Sequence, residues 1–253
     1  MPRKARKKSS TGIYHIMIRG INHQNIFEEE KDYRRFIETI EKYREVSGYE
    51  IYGYCLMGNH VHLLLKVVKE PLEQVMRRIC GSYVYWYNRK YRRIGNLFQD
   101  RFKSEPVEDD SYFLTVLRYI HQNPLKGELV KDLGQYQWSS YDKYINKRKF
   151  VDVSFALNIL DNDKAKAIKR FIEYSNEPNN DRCLDMEKKR RITDEEASDI
   201  IKKVCKVKDI SDLKNFEKTK RDMYLRELKE KHNLSIRQIE RLTGINRGVV
   251  LKA

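Results

Sequence analysis

The 253-residue sequence contains no run of about 18 apolar residues, so it predicts no membrane-spanning helix. Residues 1–11 are basic but lack the apolar core of a secretion signal. The sequence has only four cysteines, which are scattered and form no C-x-x-C pair: Cys55, Cys80, Cys183 and Cys205. This spacing excludes a disulfide framework or a zinc knuckle and predicts reduced thiols in a cytoplasmic protein.

Positive charge is in excess, with a net charge of +15 and a sequence isoelectric point of about 9.5. Such a balance does not define a fold, but it favours polyanionic partners over a basic surface that only keeps the protein soluble. We favour nucleic acid because aromatic residues alternate with Lys and Arg between residues 83 and 93, and aromatic rings stack on unpaired bases. Residues 1–12 form a basic arm that either contacts phosphates or is simply solvated.

Apolar periodicity predicts alternating strands and helices over residues 13–145. The predicted elements are a strand at Ile13–Arg19, a helix at Lys31–Ser47, strands at Glu50–Met57 and His60–Val68, a helix that Pro71 opens at its first turn, a strand at Leu97–Val107 and a helix at Ser111–Gln122. Ser111 is expected to cap the last helix, which should end near Asn123 because Pro124 disfavours helical geometry in the residue before it. The order predicts an α+β fold, with a ferredoxin-like antiparallel sheet backed by helices.

Domain boundaries follow from a change of pattern after residue 145. Residues 13–145 form the predicted α+β domain, residues 146–192 a helical connector and linker, and residues 193–253 an all-helical domain. Residues 176–181 are polar and contain a proline, which is typical of a linker.

The strand that begins at His60 carries a second histidine at His62. Alternate residues of a strand point to the same face, so the two imidazoles lie side by side and could begin a metal site. Two histidines are too few for a stable site, and H-x-H pairs also occur in cupins and metal hydrolases. A third ligand must therefore come from another element.

The helix predicted at Ser111–Gln122 offers candidates for the remaining groups. Tyr119 and Asn123 are four residues apart and lie on one face, beside the apolar stripe of this helix. Tyr112 on the same helix is a rival nucleophile, and Asn123 could simply be a residue at the helix end. His15, His23 and His121 are expected to be structural or surface groups.

Several segments in the right order resemble the single-tyrosine HUH transposases, and the Asn-Pro after the tyrosine is most similar to their REP-associated branch. The segments are residues 14–20, 53–62, 97–104, 118–127 and 137–141. The resemblance implies that Tyr119 cuts single-stranded DNA, leaving a 5′-phosphotyrosine and a free 3′-OH. It also implies that His60, His62 and Asn123 hold Mg²⁺ or Mn²⁺, which polarises the scissile phosphate. Imidazole ligands tolerate Mn²⁺ better, so tighter Mn²⁺ binding is expected.

DNA contacts are predicted in three places. Residues of the family-like motifs could contact phosphate or the base of a hairpin: Arg19, Asn22, Arg101 and Lys103. A basic run near the end of the second helix could follow the backbone: Arg89, Lys90, Arg92 and Arg93. Residues 234–250 resemble a helix-turn-helix in which Asn246 and Arg247 would face the groove of duplex DNA. The alternative for this last segment is a helical hairpin used for packing or dimerisation.

These patterns predict a transposase-like endonuclease and strand transferase that cleaves and rejoins single-stranded DNA at hairpin-type sites. A non-catalytic DNA-binding regulator that retains the fold is one alternative, and a metal-dependent phosphoesterase on another substrate is a second. The expected partners are single-stranded or hairpin DNA, duplex DNA at the C-terminal domain, and no membrane. The chain acts as a monomer if Tyr119 reaches His60 and His62 of its own chain, and as a homodimer if a partner supplies the tyrosine.

Overall fold

The computed structural model describes residues 6–146, 150–185, 192–232 and 234–253. The chain divides into two compact units, with the boundary after Asp185. Each unit encloses its own apolar core. Among the described helices, none combines the length and apolar character needed to cross a membrane.

A four-stranded antiparallel sheet forms the centre of the described part of the first unit, in the order β2-β3-β1-β4. Its strands are β1 (Ile13–Arg19), β2 (Glu50–Met57), β3 (His60–Lys66) and β4 (Lys103–Pro106). Helices α1 (Glu30–Ser47) and α2 (Leu72–Lys90) follow β1 and β3 and pack against each other. This arrangement confirms the predicted α+β class with an antiparallel sheet backed by helices.

Strand β3 presents different chemistry on the two faces of the sheet. Val61, Leu63 and Leu65 are fully buried and belong to the apolar core, whereas His60 and His62 alternate with them and point to the other face. In the antiparallel register, Arg19 lies opposite His60 and Met17 lies opposite His62. The two histidines therefore sit at the end of β3 where β1 ends.

Helix α3 (Asp110–Lys126) packs on β2 and β3, on the histidine face of the sheet. A Cβ atom at Gly53 of β2 would lie only 2.8 Å from Cδ1 of Leu117 on α3. The helix can approach the sheet this closely because residue 53 has no side chain. The distance between the sheet and the part of α3 that carries Tyr119, two residues beyond Leu117, therefore depends on Gly53.

The ends of α3 differ from the prediction. Asp109, not Ser111, caps the helix, because its side chain accepts a hydrogen bond from the backbone N–H of Tyr112 at 2.8 Å. The helix also continues through Pro124 to Lys126, and Gly127 N donates to Asn123 O at 2.8 Å. Proline removes one N–H, but that loss falls in the last turn, and the ring is buried. Asn123 is therefore a helical residue rather than the one that follows the helix.

The strand predicted at Leu97–Val107 is shorter in the structure. Regular pairing with β1 is confined to Lys103–Pro106, and Phe98 forms only an isolated bridge to Gly20. Between them, the Asp100 side chain accepts a hydrogen bond from the backbone N–H of Arg101 at 2.7 Å. A local side-chain bond of this kind competes with a strand ladder and breaks it.

Two helices of the segment predicted as a connector belong to the first unit. They are α5 (Val153–Leu160) and α6 (Lys164–Asn176), which follow the short helix α4 (Tyr141–Asn146). Their buried residues join the core of the first unit: Ala156, Leu157, Ala167 and Phe171. This apolar face explains why the helices pack on the sheet domain instead of forming a separate linker. Residues 147–149 and 186–191 of the predicted connector lie outside the described residues.

The described part of the second unit is helical, as predicted for residues 193–253. Its helices are α7 (Asp194–Cys205), α8 (Lys218–Glu230), α9 (Ile236–Thr243) and α10 (Arg247–Lys252). Ser235 caps α9 by accepting from Gln238 N at 3.1 Å, and Gly244 ends it with a left-handed φ of 64°. The turn that joins α9 to α10 is therefore where the sequence predicts it.

His121 of α3 is expected to make the protein sensitive to acid. The side chain is buried, its Nε2 lies 2.8 Å from the hydroxyl of Ser140, and burial lowers its pKa to about 3. The unfolded chain, with a histidine pKa near 6.5, therefore binds a proton that the folded chain excludes. Stability from this residue is complete above pH 6.5 and falls as the pH drops towards 3, by at most about 1.4 kcal/mol per pH unit. Urea unfolding of wild type and His121→Gln between pH 7 and 4.5 should give a smaller pH slope for the variant; equal slopes would refute this assignment.

Candidate active site

His62 lies at the centre of the candidate site and has one free ring nitrogen. The residue is fully buried, and its Nδ1 lies 3.0 Å from Nε2 of His15 on β1. Its Nε2 is buried and has no hydrogen-bond partner. A buried imidazole with one nitrogen held by a neighbour and the other free is arranged as a metal ligand with an orienting second group.

His15 is a site residue that the sequence analysis placed among structural or surface groups. It is fully buried beside His62, with the ring centroids 5.2 Å apart. Coordination through Nε2 of His62 requires the proton on Nδ1, which would then donate to Nε2 of His15. His15 is thus placed to accept this proton and to hold the orientation of the His62 ring. The sequence could not place His15 beside His62, because that contact depends on the register of β1 against β3.

The histidines are held in their neutral forms. Burial, and next the neighbouring His15 and His60, keep the pKa of His62 well below its usual range. Burial lowers the pKa of His15 to about 3 and also lowers the pKa of His60. Metal ligands must be deprotonated, so these residues need not release a proton to bind a cation near neutral pH.

His60 lies at the open edge of the site. Its ring stands almost perpendicular to that of His62, at a centroid distance of 5.2 Å. Its Nδ1 lies 2.6 Å from Oδ1 of Asn59, which leaves Nε2 for groups on the site side. The Asp185 carboxylate, and next a side-chain hydrogen bond that His60 donates to Asn123, raise the pKa of His60 and partly oppose the lowering by burial.

Asn123 reaches the site from the last turn of α3. Its Nδ2 donates to the backbone oxygen of Tyr119 at 2.8 Å, so the amide nitrogen is occupied and the amide oxygen is left to face His60. An amide oxygen is the atom that a hard divalent cation would take as a ligand. The structure thus brings the predicted ligands His60, His62 and Asn123 together.

Tyr119 packs directly against the histidines of its own chain. Its ring centroid lies 5.7 Å from that of His62 and 5.9 Å from that of His15. The residue is 6% exposed, and Lys126 Nζ lies 4.8 Å from the ring centroid. Burial, and next the nearby Asp185 carboxylate, raise the pKa of Tyr119 above its usual value. The phenol therefore stays protonated until something at the site accepts or displaces its proton.

Tyr112, the rival nucleophile on α3, is engaged elsewhere. Its hydroxyl donates to Oε2 of Glu105 at 2.7 Å. The histidine rings make their tyrosine contacts with Tyr119 instead. The geometry therefore favours Tyr119 as the reactive residue.

The residues present fit a divalent cation. Among the described residues, no three His, Cys, Asp or Glu side chains are grouped as a metal site, and the three-ligand set that the resemblance implies takes its third ligand from the amide of Asn123. The unpartnered Nε2 of His62 is the observation that favours a ligand at this point, because buried polar atoms normally have partners. Imidazole and amide ligands suit Mn²⁺, with Mg²⁺ as the harder alternative.

The polar segment at residues 175–185, part of which was predicted as a linker, lies along α3. Arg118 forms a bidentate pair with Asp181, with Nε and Nη2 at 2.9 and 3.1 Å from its oxygens. Gln122 Nε2 donates to Ser175 O at 2.8 Å. The Asp185 carboxylate at the end of this segment is a hydrogen-bond partner of Tyr119. No spacing in the sequence indicated this contact, because it depends on the chain returning from α6.

The four DNA contacts predicted in the family-like motifs lie in two parts of the first unit. Arg19 lies opposite His60 in the sheet, and its Nε is buried without a partner. Asn22 is exposed in the turn after β1, with a left-handed φ of 50°. Both are therefore at the edge of the histidine pair. Arg101 and Lys103 are exposed on the loop and strand that border β1.

The basic run at the end of α2 is only partly available. Arg89 and Arg92 are exposed. Lys90 lies 2.7 Å from Glu29 Oε1 and also contacts Asp32, so its charge is used within the protein. Arg93 donates to Gln24 Oε1 at 3.1 Å. The DNA contact of Lys90 stays a prediction, and this residue would have to exchange its two carboxylate partners for a phosphate to make it.

In the second unit, Arg247 is exposed at the start of α10. Asn246 caps this helix, since its side-chain oxygen accepts from Gly248 N at 2.8 Å. The capping role leaves only the amide nitrogen of Asn246 for a ligand.

Comparison with known proteins gives matches to one family. Residues 8–123 match the sequence model of the family described as IS200-like transposases. A Haemophilus influenzae protein named as a REP-associated tyrosine transposase is 24% identical over an alignment of 119 residues, and the match covers 42% of this chain. The chain spans 64% of the length of that relative.

Solved structures include a similar fold. The structure of a REP-associated tyrosine transposase bound to a REP hairpin matches 60% of this chain and 93% of its own, with 17% identity and a TM-score of 0.52. A transposase structure from Deinococcus radiodurans matches 48% of this chain and 97% of its own, with 18% identity and a TM-score of 0.33.

Proposed function

Because residues 8–123 of this chain belong to the family of IS200-like transposases, we propose that the protein cleaves and rejoins single-stranded DNA at hairpin-type sites through Tyr119. The observation that carries this proposal is the packing of a phenol against a buried histidine whose outer nitrogen has no partner. A non-catalytic DNA-binding protein has no need of that arrangement.

Each residue of the site has its own role in the proposed reaction. The Tyr119 hydroxyl attacks the scissile phosphorus and gives up its proton. The P–O3′ bond breaks, and the 3′ oxygen takes up a proton and leaves as a hydroxyl, so that no proton is gained or lost overall. The product is a 5′-phosphotyrosine, which keeps the energy of the phosphodiester, so that a 3′-OH can later reverse the step and join a strand without ATP. Mn²⁺ or Mg²⁺ held by His60, His62 and Asn123 would supply Lewis-acid polarisation of the phosphate. Arg19, beside His60, is positioned to bind a phosphate oxygen.

The direct test is a covalent-adduct assay. A labelled hairpin oligonucleotide is first selected from a random single-stranded library by binding to the protein, and is then incubated with wild type and Mn²⁺. The proposal predicts an adduct that survives SDS electrophoresis. Tight binding without any adduct would instead support a DNA-binding regulator that retains the fold.

We further propose that the site is complete within one chain, because Tyr119 contacts His15 and His62 of its own chain. A mixture of Tyr119→Phe and His62→Ala proteins should then stay as inactive as each variant alone. If partners exchanged the tyrosine, mixing would restore up to about a quarter of the wild-type adduct yield, as expected for random pairing of two variants in a two-site dimer.

The second unit is proposed to bind duplex DNA through α9 and α10. Arg247 is exposed at the start of α10, where a recognition helix would contact the groove. The variant Arg247→Ala should weaken duplex binding by about 1–3 kcal/mol, measured by fluorescence anisotropy, and leave hairpin cleavage unchanged. Unchanged duplex affinity would favour the packing or dimerisation role of this helical hairpin.

A further inference from the structure

A cavity of about 310 Å³ lies on the sheet face opposite the catalytic histidines, between α2, β1 and residues 98–102. Its floor is apolar and consists of Ile18, Met76 and Cys80. Two phenylalanines, Phe98 and Phe102, line it from the loop before β4. It is separate from the candidate active site, because Ile18 alternates with the β1 residues of the histidine face.

Charged groups surround the apolar floor. The cavity is lined by Arg6, Arg77 and Arg101 together with Glu73 and Asp100, and Arg6 pairs with Glu73 at 3.9 Å. Burial, and next the charge of Arg101, lower the pKa of Arg6, whereas Glu73 and Asp100 raise it. Three arginines against two carboxylates leave the lining with a net positive charge, which favours a polyanion such as DNA beside it.

One aromatic wall is held by an arginine. The Arg6 guanidinium lies 3.9 Å from the ring centroid of Phe102, and its Nη2 donates to Phe102 O at 3.1 Å. The arginine and the ring therefore form a planar stack at the cavity. Planar arginine and aromatic groups are the surfaces on which unpaired bases stack. The volume is at the lower end of the range for ligand sites, which suits one planar ring system.

The cavity is connected to the catalytic end of the sheet through the backbone. Gln99 N donates to Arg19 O at 2.9 Å, and Phe98 bridges to Gly20. Arg19 lies opposite His60 in the register of β1 and β3. A DNA strand that leaves the histidine face around this end of β1 would pass exposed Arg101 and reach the cavity.

We propose that this cavity binds one unpaired nucleobase of the DNA strand that is held at the catalytic site, with Arg101 on the adjoining phosphate. The base stacks in the pocket of Phe98 and Phe102, and guanidinium and carboxylate groups contact its polar edge. This inference rests on the proposed function, since it assumes that single-stranded DNA is the ligand.

The test combines substitutions in the cavity with removal of single bases from the DNA. The hairpin oligonucleotide selected above is prepared in a series in which each unpaired nucleotide in turn is abasic. Affinities are measured by anisotropy in EDTA, so that they do not depend on cleavage. One abasic position should weaken binding to wild type on the order of tenfold, the usual effect of losing a stacked base.

The variant Phe102→Ala should bind the intact oligonucleotide on the order of tenfold more weakly. Its affinity should not fall further with the abasic oligonucleotide that binds wild type more weakly, because the variant has already lost the same interaction. Cys80→Phe, which fills the cavity instead of opening it, should give the same coupling if Phe102→Ala fails to fold. Ile94→Ala, at a fully exposed apolar residue outside the cavity, is the matched control and should bind like wild type.

Two outcomes would overturn the inference. One is that a folded cavity variant binds the intact oligonucleotide as tightly as wild type. The other is that the loss of binding free energy caused by the cavity variant adds to the loss caused by every abasic position. The measurement depends on binding alone. If the protein shows this coupling but never cleaves DNA, the proposed function is wrong and the base-binding site still stands.

Discussion

Replacing Tyr119 with phenylalanine is expected to abolish the covalent protein–DNA adduct and to reduce cleavage of the hairpin by at least about 10³-fold. The substitution removes one oxygen atom, and that atom is the proposed nucleophile. The ring contacts with His62 and His15 at 5.7 and 5.9 Å involve the aromatic carbons, which phenylalanine keeps. Binding of the hairpin should therefore remain within a few-fold of wild type. Cleavage is measured with 5′- and 3′-labelled oligonucleotides in Mn²⁺.

Tyr112→Phe is the matched control on the same helix. Its hydroxyl donates to Glu105, so the change should cost some stability, about 1 kcal/mol, and leave the adduct yield near that of wild type. The assignment is wrong if the two variants lose activity equally, or if Tyr119→Phe still forms the adduct.

Replacing His62 with alanine is expected to have the second large effect. The residue offers a buried, unpartnered Nε2 to the metal, so its loss should lower metal-dependent cleavage by about 10³-fold or more while hairpin binding persists. His15→Ala should have a smaller effect, about 10- to 100-fold, because His15 contacts the other ring nitrogen of His62 and would orient this ligand without being one itself. Raising the Mn²⁺ concentration should rescue His15→Ala in part and His62→Ala not at all.

His23→Ala is the control for this series, since His23 is an exposed histidine. Its cleavage should equal that of wild type. Thermal melting of each variant separates chemistry from folding. Equal losses in His15→Ala and His62→Ala, with neither responding to Mn²⁺, would mean that the pair is structural.

The sequence predicted the strand that carries His60 and His62 because side chains alternate on a strand with a period that needs no tertiary information. It also predicted the shared face of Tyr119 and Asn123, since residues four apart meet on any helix. Both depend only on local geometry. The meeting of these two faces was inferred from resemblance, and its physical basis is the missing side chain at Gly53, which lets α3 approach the sheet.

The features that the sequence did not reveal depend on contacts between distant segments. His15 is a site residue only because the register of β1 brings it beside His62. Asp185 reaches Tyr119 because the chain returns along α3 after α6. Lys90, a predicted DNA contact, has Glu29 and Asp32 beside it in the fold. Charge and spacing within one segment cannot distinguish a cation that faces DNA from one that is paired across the fold.

The most direct test of the account is to identify the residue that becomes attached to DNA. The adduct formed by wild type with Mn²⁺ is digested with nuclease and trypsin, and the modified peptide is sequenced by mass spectrometry. The account predicts a 5′-nucleotide phosphate on Tyr119, in a peptide that begins after Arg118. A phosphate on Tyr112, on another tyrosine or on a serine would contradict it.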